Sequence, residues 1–291
     1  MSPAPAAFDL AALDAVLARE AGWTVAFSGG VDSSVLLAAA AELRGRDRVV
    51  AVLADSPSLA RREKEQALAT AAALEVELVV LATDEMTEPR YRANTGDRCF
   101  WCKEALFTAA AAVAAERGWA MAYGEQADDL DEDRPGARSA AGRGVQAPLA
   151  AAGWGKEAVR AYARARGLAV ANKISSPCLA SRVATGQAVD AGILARVEGL
   201  EAALQDRGFR RLRARHLGID HLRFEFAAAE LSRARGMEEE LRHLAAAAGY
   251  GRMELAAYRR GAVAAVAVVL HQPAAVAQGQ VLGAGVVDGL L

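Results

Sequence analysis

Short apolar runs alternate with longer segments of helical spacing through the first half of the chain. Runs of strand type span 23–27, 48–54, 76–82 and 119–123. Apolar positions spaced as on one face of a helix span 8–20, 31–43, 58–73 and 103–116, and Ser58 is the predicted N-cap of the third helix. Strands and helices that alternate in this way predict an α/β fold with a doubly wound parallel sheet covered on both faces.

The pattern changes in the second half. Residues 128–144 are loop-like, 155–166 and 189–207 have helical spacing, and RRLRARHLGIDHLRFEF (210–226) fits two alternating strands joined around Gly218. Side chains alternate between the faces of a strand, which gives two groups that each share a face: Arg211, Arg213 and Arg215, and Arg223 with Glu225. The change predicts a smaller C-terminal α+β domain. We expect domains at 1–185 and 186–262, followed by a tail, 263–291, to which no order or role is assigned.

Composition limits the classes of partner. The chain has 291 residues, 53% of them hydrophobic, and a formal net charge of −2, which gives no global basic field for nucleic acid. Three cysteines cannot all pair, and no signal segment opens the sequence, so a reducing cytoplasm is the expected location. The apolar run at 261–270 is about half of the ~20 residues that span a bilayer. We therefore predict neither a nucleic-acid nor a membrane partner.

The first predicted strand ends in FSGGVDSS, which has more Gly, Asp and Ser than a generic turn needs. Ligands of parallel sheets bind beyond the carboxyl ends of the strands, where successive amides and a helix N-terminus attract phosphate. The candidate phosphate-binding residues are Ser28, Gly29, Gly30, Val31, Asp32, Ser33 and Ser34. A tight strand-to-helix turn is the other interpretation, whereas the spacings of a Walker loop and of a dinucleotide fingerprint are absent.

The string SGGVDSS resembles the pyrophosphate-binding loop (PP-loop) of the N-type ATP pyrophosphatases, which have a Rossmann-like sheet. That resemblance implies cleavage of ATP to AMP and pyrophosphate, with the loop holding the outer phosphates and Asp32 supporting a Mg²⁺-bound pyrophosphate. By position alone, Ala54 and Asp55 at the end of the second strand are expected near the adenosine.

Three cysteines form a second candidate centre: Cys99 and Cys102 in RCFWCK, and Cys178 in SSPCLASR. A Cys-x-x-Cys pair at a helix start binds a metal, forms a redox pair or holds a thiolate, and spacing alone does not choose among these or exclude bystander cysteines. No histidine stands at a recognisable ligand spacing. Three thiolates without a fourth ligand suit a [4Fe–4S] cluster with one open iron.

The ordered motifs SGGVDSS, RCFWCK, DDLDEDRPG, CLASR, RARHLG and AAYRRG are together similar to those of the LarE-type sulfur transferases, which make the thiocarboxylates of the nickel-pincer nucleotide. The similarity runs from about residue 23 to 261. It implies that ATP adenylates a carboxylate of pyridinium-3,5-biscarboxylic acid mononucleotide, a small nucleotide substrate. A sulfur nucleophile then displaces AMP. It also implies a homo-oligomer, with hexamers known.

The same resemblance implies two sources of sulfur. In members that lack the Cys-x-x-Cys, the cysteine matching Cys178 gives up its own sulfur and ends as dehydroalanine. Members with three cysteines hold a [4Fe–4S] cluster that carries an extra sulfide. This chain has Cys99, Cys102 and Cys178 and no other cysteine. We therefore predict that these cysteines hold the cluster, which needs an unidentified sulfide donor, with sacrificial transfer as the alternative.

Charged residues near these motifs are candidates for binding the substrate, although each also fits a surface or ion-pair role. Arginine forks suit a phosphate and a carboxylate, while Lys103, Lys173 and Arg182 flank the cysteines, where positive charge favours thiolates. The predicted substrate-binding set is Lys103, Asp129, Arg134, Arg182, Arg213, Arg215, Glu225 and Arg259. The family pattern is broken where Glu125-Gln126, Ala184-Thr185 and Ala262 stand, so contacts at these positions are expected to differ.

Two other functions stay open at this point. A tRNA thiolase would use the same adenylation, but it should carry a surplus of basic residues, whereas this chain has 34 Lys and Arg against 36 Asp and Glu. A non-catalytic adenine-nucleotide sensor would bind ATP without turnover. Pyrophosphate release with the biscarboxylate nucleotide separates the sensor from both enzymes, and addition of tRNA separates the two enzymes.

Overall fold

A computed structural model describes residues 8–130, 135–174 and 176–259. Its larger sheet has four parallel strands in the order β3-β2-β1-β4: β1 (Trp23–Ala26), β2 (Val49–Asp55), β3 (Glu77–Ala82) and β4 (Ala120–Tyr123). The apolar runs of the sequence become these strands because a sheet buried on both faces needs continuous hydrophobic segments. The predicted α/β fold is confirmed.

Helices flank this sheet and connect its strands. They are α1 (Leu10–Leu17), α2 (Val31–Arg44), α3 (Arg61–Ala73), α4 (Pro89–Ala93), α5 (Arg98–Arg117), α6 (Pro135–Gly142), α7 (Pro148–Ala151) and α8 (Lys156–Ala165). The middle of α2, residues 35–40, is buried all round, which makes α2 the central helix of the first hydrophobic core. Trp23 and Val25 of β1 are fully buried in the same core. The loop between β1 and α2 is thus held at both ends by the best-packed elements.

A second sheet follows in the chain. Its strands, in the order β5-β6-β7, are β5 (Leu212–Gly218), β6 (His221–Phe226) and β7 (Arg252–Ala257); β5 and β6 are antiparallel, whereas β6 and β7 are parallel. The helices α9 (Ala191–Asp206), α10 (Ala228–Gly236) and α11 (Glu238–Ala247) accompany it. Leu194, Leu204, Phe224 and Phe226 form part of a second core, which also takes Tyr91 from the N-terminal half. The small α+β unit predicted from sequence is therefore present, while the boundary near 185 stays a prediction.

Several local expectations differ from the structure. The predicted loop 128–144 contains α6, and α10, α11 and β7 were not anticipated. The third helix begins at Arg61 with Ala60 at its N-cap and no side-chain cap, so the prediction that Ser58 caps it is wrong. Ser58 instead hydrogen-bonds the hydroxyl of Tyr91. The predicted tail 263–291 lies outside the described residues.

Close packing brings the end of β4 against the start of α2. A Cβ on Gly124 would lie 2.5 Å from the backbone nitrogen of Ser33, so a side chain there would push the two segments apart. The carboxyl ends of β1, β2 and β4 consequently meet at one edge of the sheet. Across the described ranges, no helix is both long and apolar enough to cross a membrane.

Candidate functional site

The loop after β1 has the geometry of an anion cradle. Gly29 has a φ of +67°, and a Cβ there would lie 2.7 Å from the Cβ of Ala67, so both the backbone conformation and the space require glycine. The backbone N–H of Ser28 donates to Ser33 Oγ at 3.2 Å, and Ser33 Oγ lies 3.3 Å from the carbonyl of Gly30. Gly30 is the N-cap of α2. These bonds fix a turn that aims the N-terminus of a helix at the loop.

The candidate residues of this loop differ in exposure. Ser28 is exposed, Val31 and Asp32 are half-buried in the first turn of α2, and Ser33 and Ser34 are buried. Ser34 Oγ has no hydrogen-bond partner among the described residues. Of the three serine hydroxyls, that of Ser28 is therefore the accessible one, while Ser33 shapes the loop from inside.

Lys173 reaches the loop after β1, residues 28–34, from a distant segment; this stretch is called the phosphate loop after its predicted ligand. Its Nζ donates to the carbonyl of Gly29 at 2.9 Å and pairs with Glu63 at 2.7 Å. From the sequence we expected Lys173 to lie beside the cysteines, but in the structure its ammonium group contacts the backbone of the loop after β1. Nothing in the local sequence shows this contact, because the two partners lie 144 residues apart.

The end of β2 carries a charged cluster beside a cavity. Asp55 pairs with Lys64 and, at 2.7 Å, with Arg61. The hydrogen bond from Lys64 holds the pKa of Asp55 below its usual value, and Arg61 acts in the same direction. A cavity of about 350 Å³ lies between this strand end and α9, lined by Asp55, Ser56, Pro57, Arg61, Ala191, Ala195 and Glu198.

The segment after β4 combines buried polar groups with a helix cap. Tyr123 donates its hydroxyl hydrogen to buried Glu125, and buried Gln126 Oε1 has no partner in the described part of the chain. The carboxylate of Asp128 accepts from the backbone N–H of Lys156 at 2.7 Å and so caps α8. Asp129 is half-buried in a short 3-10 turn, and Arg134 lies outside the described residues.

The three cysteines come together from two elements. Cys99 and Cys102 lie in the first turns of α5, and Cys178 is the N-cap of a 3-10 turn, Leu179–Arg182. None forms a disulfide, and Cys99 and Cys178 are exposed. Burial raises the pKa of the Cys102 thiol to about 12, and the charges of Cys178 and Glu85 raise it further. A neighbouring cation would be needed to make this thiol a thiolate at neutral pH.

The three thiols influence one another electrostatically. The charges of Cys178 and Cys99 raise the pKa of Cys102, whereas Lys103 lowers it. In the described ranges no three His, Cys, Asp or Glu side chains converge closely enough to hold one metal ion. Thiolates are the ligands of iron–sulfur clusters, so the donor chemistry of the three cysteines is compatible with such a group.

Sequence reasoning missed the groups behind the cysteines. Glu85 is only 2% exposed, and its Oε2 has no hydrogen-bond partner in the region that the structure covers. Tyr91 is buried, and burial raises its pKa, although the hydrogen bond with Ser58 acts the other way. Neither residue belongs to a recognised motif. In the sequence they are simply a carboxylate and a phenol within TDEMTEPRYR (83–92), which does not indicate that they lie near the cysteines.

Arg182 is buried and already occupied. Its Nε and Nη2 pair with the two carboxylate oxygens of Glu201 at 2.9 and 3.0 Å. Its Nη1 donates to the carbonyls of Pro177 and Cys178. The guanidinium fork expected to bind substrate is thus engaged with protein groups.

Arg215 and Glu225, two other predicted ligands, form a buried ion pair. Arg215 Nε lies 2.8 Å from Glu225 Oε2, but its N–H does not point at that oxygen. Arg215 Nη1 donates to the carbonyl of Ser181 at 3.0 Å. Arg215 Nε and Glu225 Oε2 are thus paired by charge, but neither has a hydrogen-bond partner among the described residues.

The remaining candidates lie at two places. Arg213 is half-buried and stacks over Tyr258, 5.5 Å from the ring centroid; burial, followed by the charge of Arg182, lowers its pKa. Arg259 is exposed directly after Tyr258. Lys103 lies near the rings of Phe107 and of Tyr123 at the end of β4. The described members of the predicted substrate-binding set thus belong to several different elements.

Comparison with known proteins found no matching family model. The chain is 35% identical over 192 residues to an uncharacterized protein of Synechocystis sp., covering 66% of this chain and 71% of the relative. It is 32% identical over 193 residues to the pyridinium-3,5-bisthiocarboxylic acid mononucleotide synthase of Lactiplantibacillus plantarum, covering 66% and 70%. An uncharacterized protein of Methanocaldococcus jannaschii is 24% identical over 183 residues, covering 62% and 69%.

Proposed function

Because the chain belongs to the LarE-type sulfur transferases, the family of pyridinium-3,5-bisthiocarboxylic acid mononucleotide synthase, we propose that it converts carboxylates of the pyridinium nucleotide to thiocarboxylates at the expense of ATP. The proposed products of activation are AMP and pyrophosphate. The proposed sulfur source is a cluster held by Cys99, Cys102 and Cys178.

One observation carries this proposal: a single segment joins the phosphate loop to the cysteine site. Lys173 contacts the carbonyl of Gly29, and Leu179 donates its backbone N–H to the carbonyl of Ser58 at 2.9 Å. Cys178 lies between these contacts. Five residues extend at most about 18 Å between the Cα atoms of Lys173 and Cys178, and the two side chains add to that distance. This short connection supports the proposal that an acyl-adenylate formed at the sheet edge reaches the sulfur donor.

Adenylation would use the groups at the phosphate loop. A carboxylate oxygen of the substrate attacks the α-phosphorus of ATP, and the bond to the β-phosphate oxygen breaks, so pyrophosphate leaves. Amides of residues 29–33, at the start of α2, would stabilise the outer phosphates, and Asp32 would hold their Mg²⁺. Lys173, which is paired with Glu63, would contribute by its position next to Gly29.

Sulfur transfer then replaces the adenylate. A sulfur nucleophile attacks the acyl carbon, and the carbon–oxygen bond to AMP breaks. A [4Fe–4S] group held by the three cysteines would supply sulfide for transfer without consuming the protein.

The exposed thiol of Cys178 favours a second source of sulfur. In that route Cys178 Sγ attacks the acyl carbon, AMP leaves, and loss of the Cys178 Cα proton breaks the Cβ–Sγ bond. The products are a thiocarboxylate and dehydroalanine. Mass spectrometry of residue 178 after turnover, with a loss equal to H₂S, would identify this route.

The test of activation uses radiolabelled ATP with the biscarboxylate nucleotide. We expect AMP and pyrophosphate, released only when the nucleotide is present. Formation of ADP alone would contradict the adenylation. Release that depends on tRNA instead of the nucleotide would assign the chain to the thiolases.

The test of the cluster is anaerobic purification followed by iron and acid-labile sulfide counts. We expect a coloured wild-type protein with about four iron atoms, as the cluster formula requires, and a colourless Cys99→Ala variant. Equal iron content in the two proteins, or none in either, would contradict the cluster.

A further inference from the structure

The backbone on both sides of Cys178 is fixed while its side chain stays exposed. The carbonyl of Pro177, before it, and the carbonyl of Cys178 itself accept hydrogen bonds from Arg182 Nη1. The N–H of Leu179, after it, donates to the carbonyl of Ser58. Both peptide groups that flank the cysteine therefore have protein partners. Rotation of the backbone at residue 178 would break at least one of these bonds.

Arg182 is the centre of this arrangement. It is 2% exposed and bound in fork geometry by Glu201, which is also buried. Glu201 Oε1 accepts in addition from the backbone N–H of Ala214 at 3.0 Å, which attaches the pair to β5. Arg182 Nη1 also lies 3.1 Å from Ser181 Oγ. Each of its three guanidinium nitrogens thus donates to a group of the protein.

Such an arginine is poorly suited to bind substrate. Its charge is neutralised at contact distance by a carboxylate, and a ligand would have to displace a bidentate, buried pair. A fixed backbone under an exposed thiol is, in contrast, what transfer of a sulfur atom requires, because small displacements of a reacting atom strongly reduce the rate.

We propose that Arg182, held by Glu201, is a positioning residue that sets the conformation of the Cys178 turn for sulfur transfer and does not bind the substrate. The inference rests on the proposed function in so far as Cys178 holds or donates the sulfur. Its structural half, control of the backbone at 178, is independent of that function.

The structural half is tested by hydrogen exchange of the metal-free protein. Arg182→Lys keeps a cation for Glu201 but loses the fork and the bonds to two carbonyls. We expect amides of 179–183 to exchange about tenfold faster, in the range for loss of a charge-assisted hydrogen bond. The matched control is Arg166→Lys, because Arg166 forms a similar fork with Glu42 at 2.8 and 2.6 Å away from the cysteines. Unchanged exchange at 179–183 in Arg182→Lys would overturn the proposal.

The functional half is tested by comparing two steps in the same variant. We expect Arg182→Lys to release pyrophosphate at close to the wild-type rate and with an unchanged KM for the nucleotide. Formation of thiocarboxylate should fall at least tenfold. A raised KM for the nucleotide with an unchanged kcat would make Arg182 a substrate ligand and overturn the proposal.

A second variant keeps the inference testable if Arg182→Lys does not fold. Glu201→Gln retains an oxygen for Ala214 and for Arg182 but removes the charge. We expect the same separation of pyrophosphate release from sulfur transfer, with a smaller effect, and normal sulfur transfer would overturn the proposal. If the wild type itself releases no pyrophosphate, the proposed function fails, while the hydrogen-exchange result still decides whether Arg182 controls the turn.

Discussion

The phosphate loop and the cysteine site are built in opposite ways. The loop is one continuous stretch whose shape comes from two glycines and the hydroxyl of Ser33. The cysteine site is assembled from α5, the turn at Leu179–Arg182 and partners as distant as Glu201. A site made of backbone depends on small residues at fixed positions. A site made of side chains depends on buried partners that hold those side chains in place.

The largest expected effect concerns the buried pair. Glu201→Ala leaves Arg182 as an unpaired charge with little access to water, which should lower the free energy of unfolding by about 3–5 kcal/mol. The matched variant is Glu240→Ala, whose partner Arg207 is 35% exposed, and we expect a loss under about 1 kcal/mol. Urea unfolding of both variants measures the difference. Equal losses of unfolding free energy in the two variants would mean that the buried Arg182–Glu201 pair does not stabilise the turn that carries Cys178.

The next effect concerns the loop. Gly29→Ala places a methyl group in a left-handed conformation and 2.7 Å from Ala67 Cβ. We expect a loss of about 2–4 kcal/mol, together with loss of pyrophosphate release. Gly167→Ala has nearly the same φ, +62°, but nothing within 4 Å of the added carbon, so only the conformational part, about 1–2 kcal/mol, should remain. If both variants lose the same stability, close packing does not constrain the loop.

The contact that links the two regions should have an intermediate effect. Lys173→Met removes a cation next to Gly29 and leaves Glu63 without that partner. We expect kcat/KM for pyrophosphate release to fall about tenfold, because a charge near the phosphates is lost. Lys156→Met, at the exposed start of α8, is the control and should be neutral. An unchanged kcat/KM in Lys173→Met would show that this lysine does not contribute to pyrophosphate release.

The smallest effect is a pH dependence at the end of β2. The pKa of Asp55 is lowered by the hydrogen bond from Lys64 and then by Arg61. When folding lowers the pKa of a carboxyl group, its charged form stabilises the fold. That stabilisation is present above the pKa of the unfolded state, near 3.9, and is lost as the pH falls through the pKa of the folded state. Asp55→Asn should therefore be less stable than wild type at pH 7, by up to about 1 kcal/mol, and the difference should shrink as the pH falls below the unfolded pKa. Urea midpoints measured as a function of pH test this, and a difference that does not change with pH would point to packing instead.

The contrast between a site made from one continuous segment and a site assembled from distant side chains also explains what the sequence could predict. The parallel sheet and the SGGVDSS loop follow from local features, namely apolar run length and glycine spacing, and the structure has both elements. The α+β unit was predicted from the alternating pattern of 210–226, but its third strand was not, because β7 joins β6 only through a connection that contains two helices. Helix α6 was missed because it begins with Pro135 and Gly136, which are typical turn residues.

Roles that depend on distant partners could not be predicted. Arg182 and Arg215 show their charge in the sequence but not the carboxylates of Glu201 and Glu225 that neutralise them. Lys173 was assigned by proximity in the chain, whereas its contact is with Gly29. Ser58 fitted the composition of a helix cap, but its hydroxyl is taken by Tyr91. In each case the deciding atom lies far away along the chain.

The turn that carries Cys178 is attached on one side to Ser58, just beyond β2, and on the other, through Glu201, to β5. A shift of either sheet against the other must therefore move the sulfur, since no slack backbone separates the two attachments. Strain that arises in the first sheet would thus reach the Cys178 thiol directly through the backbone.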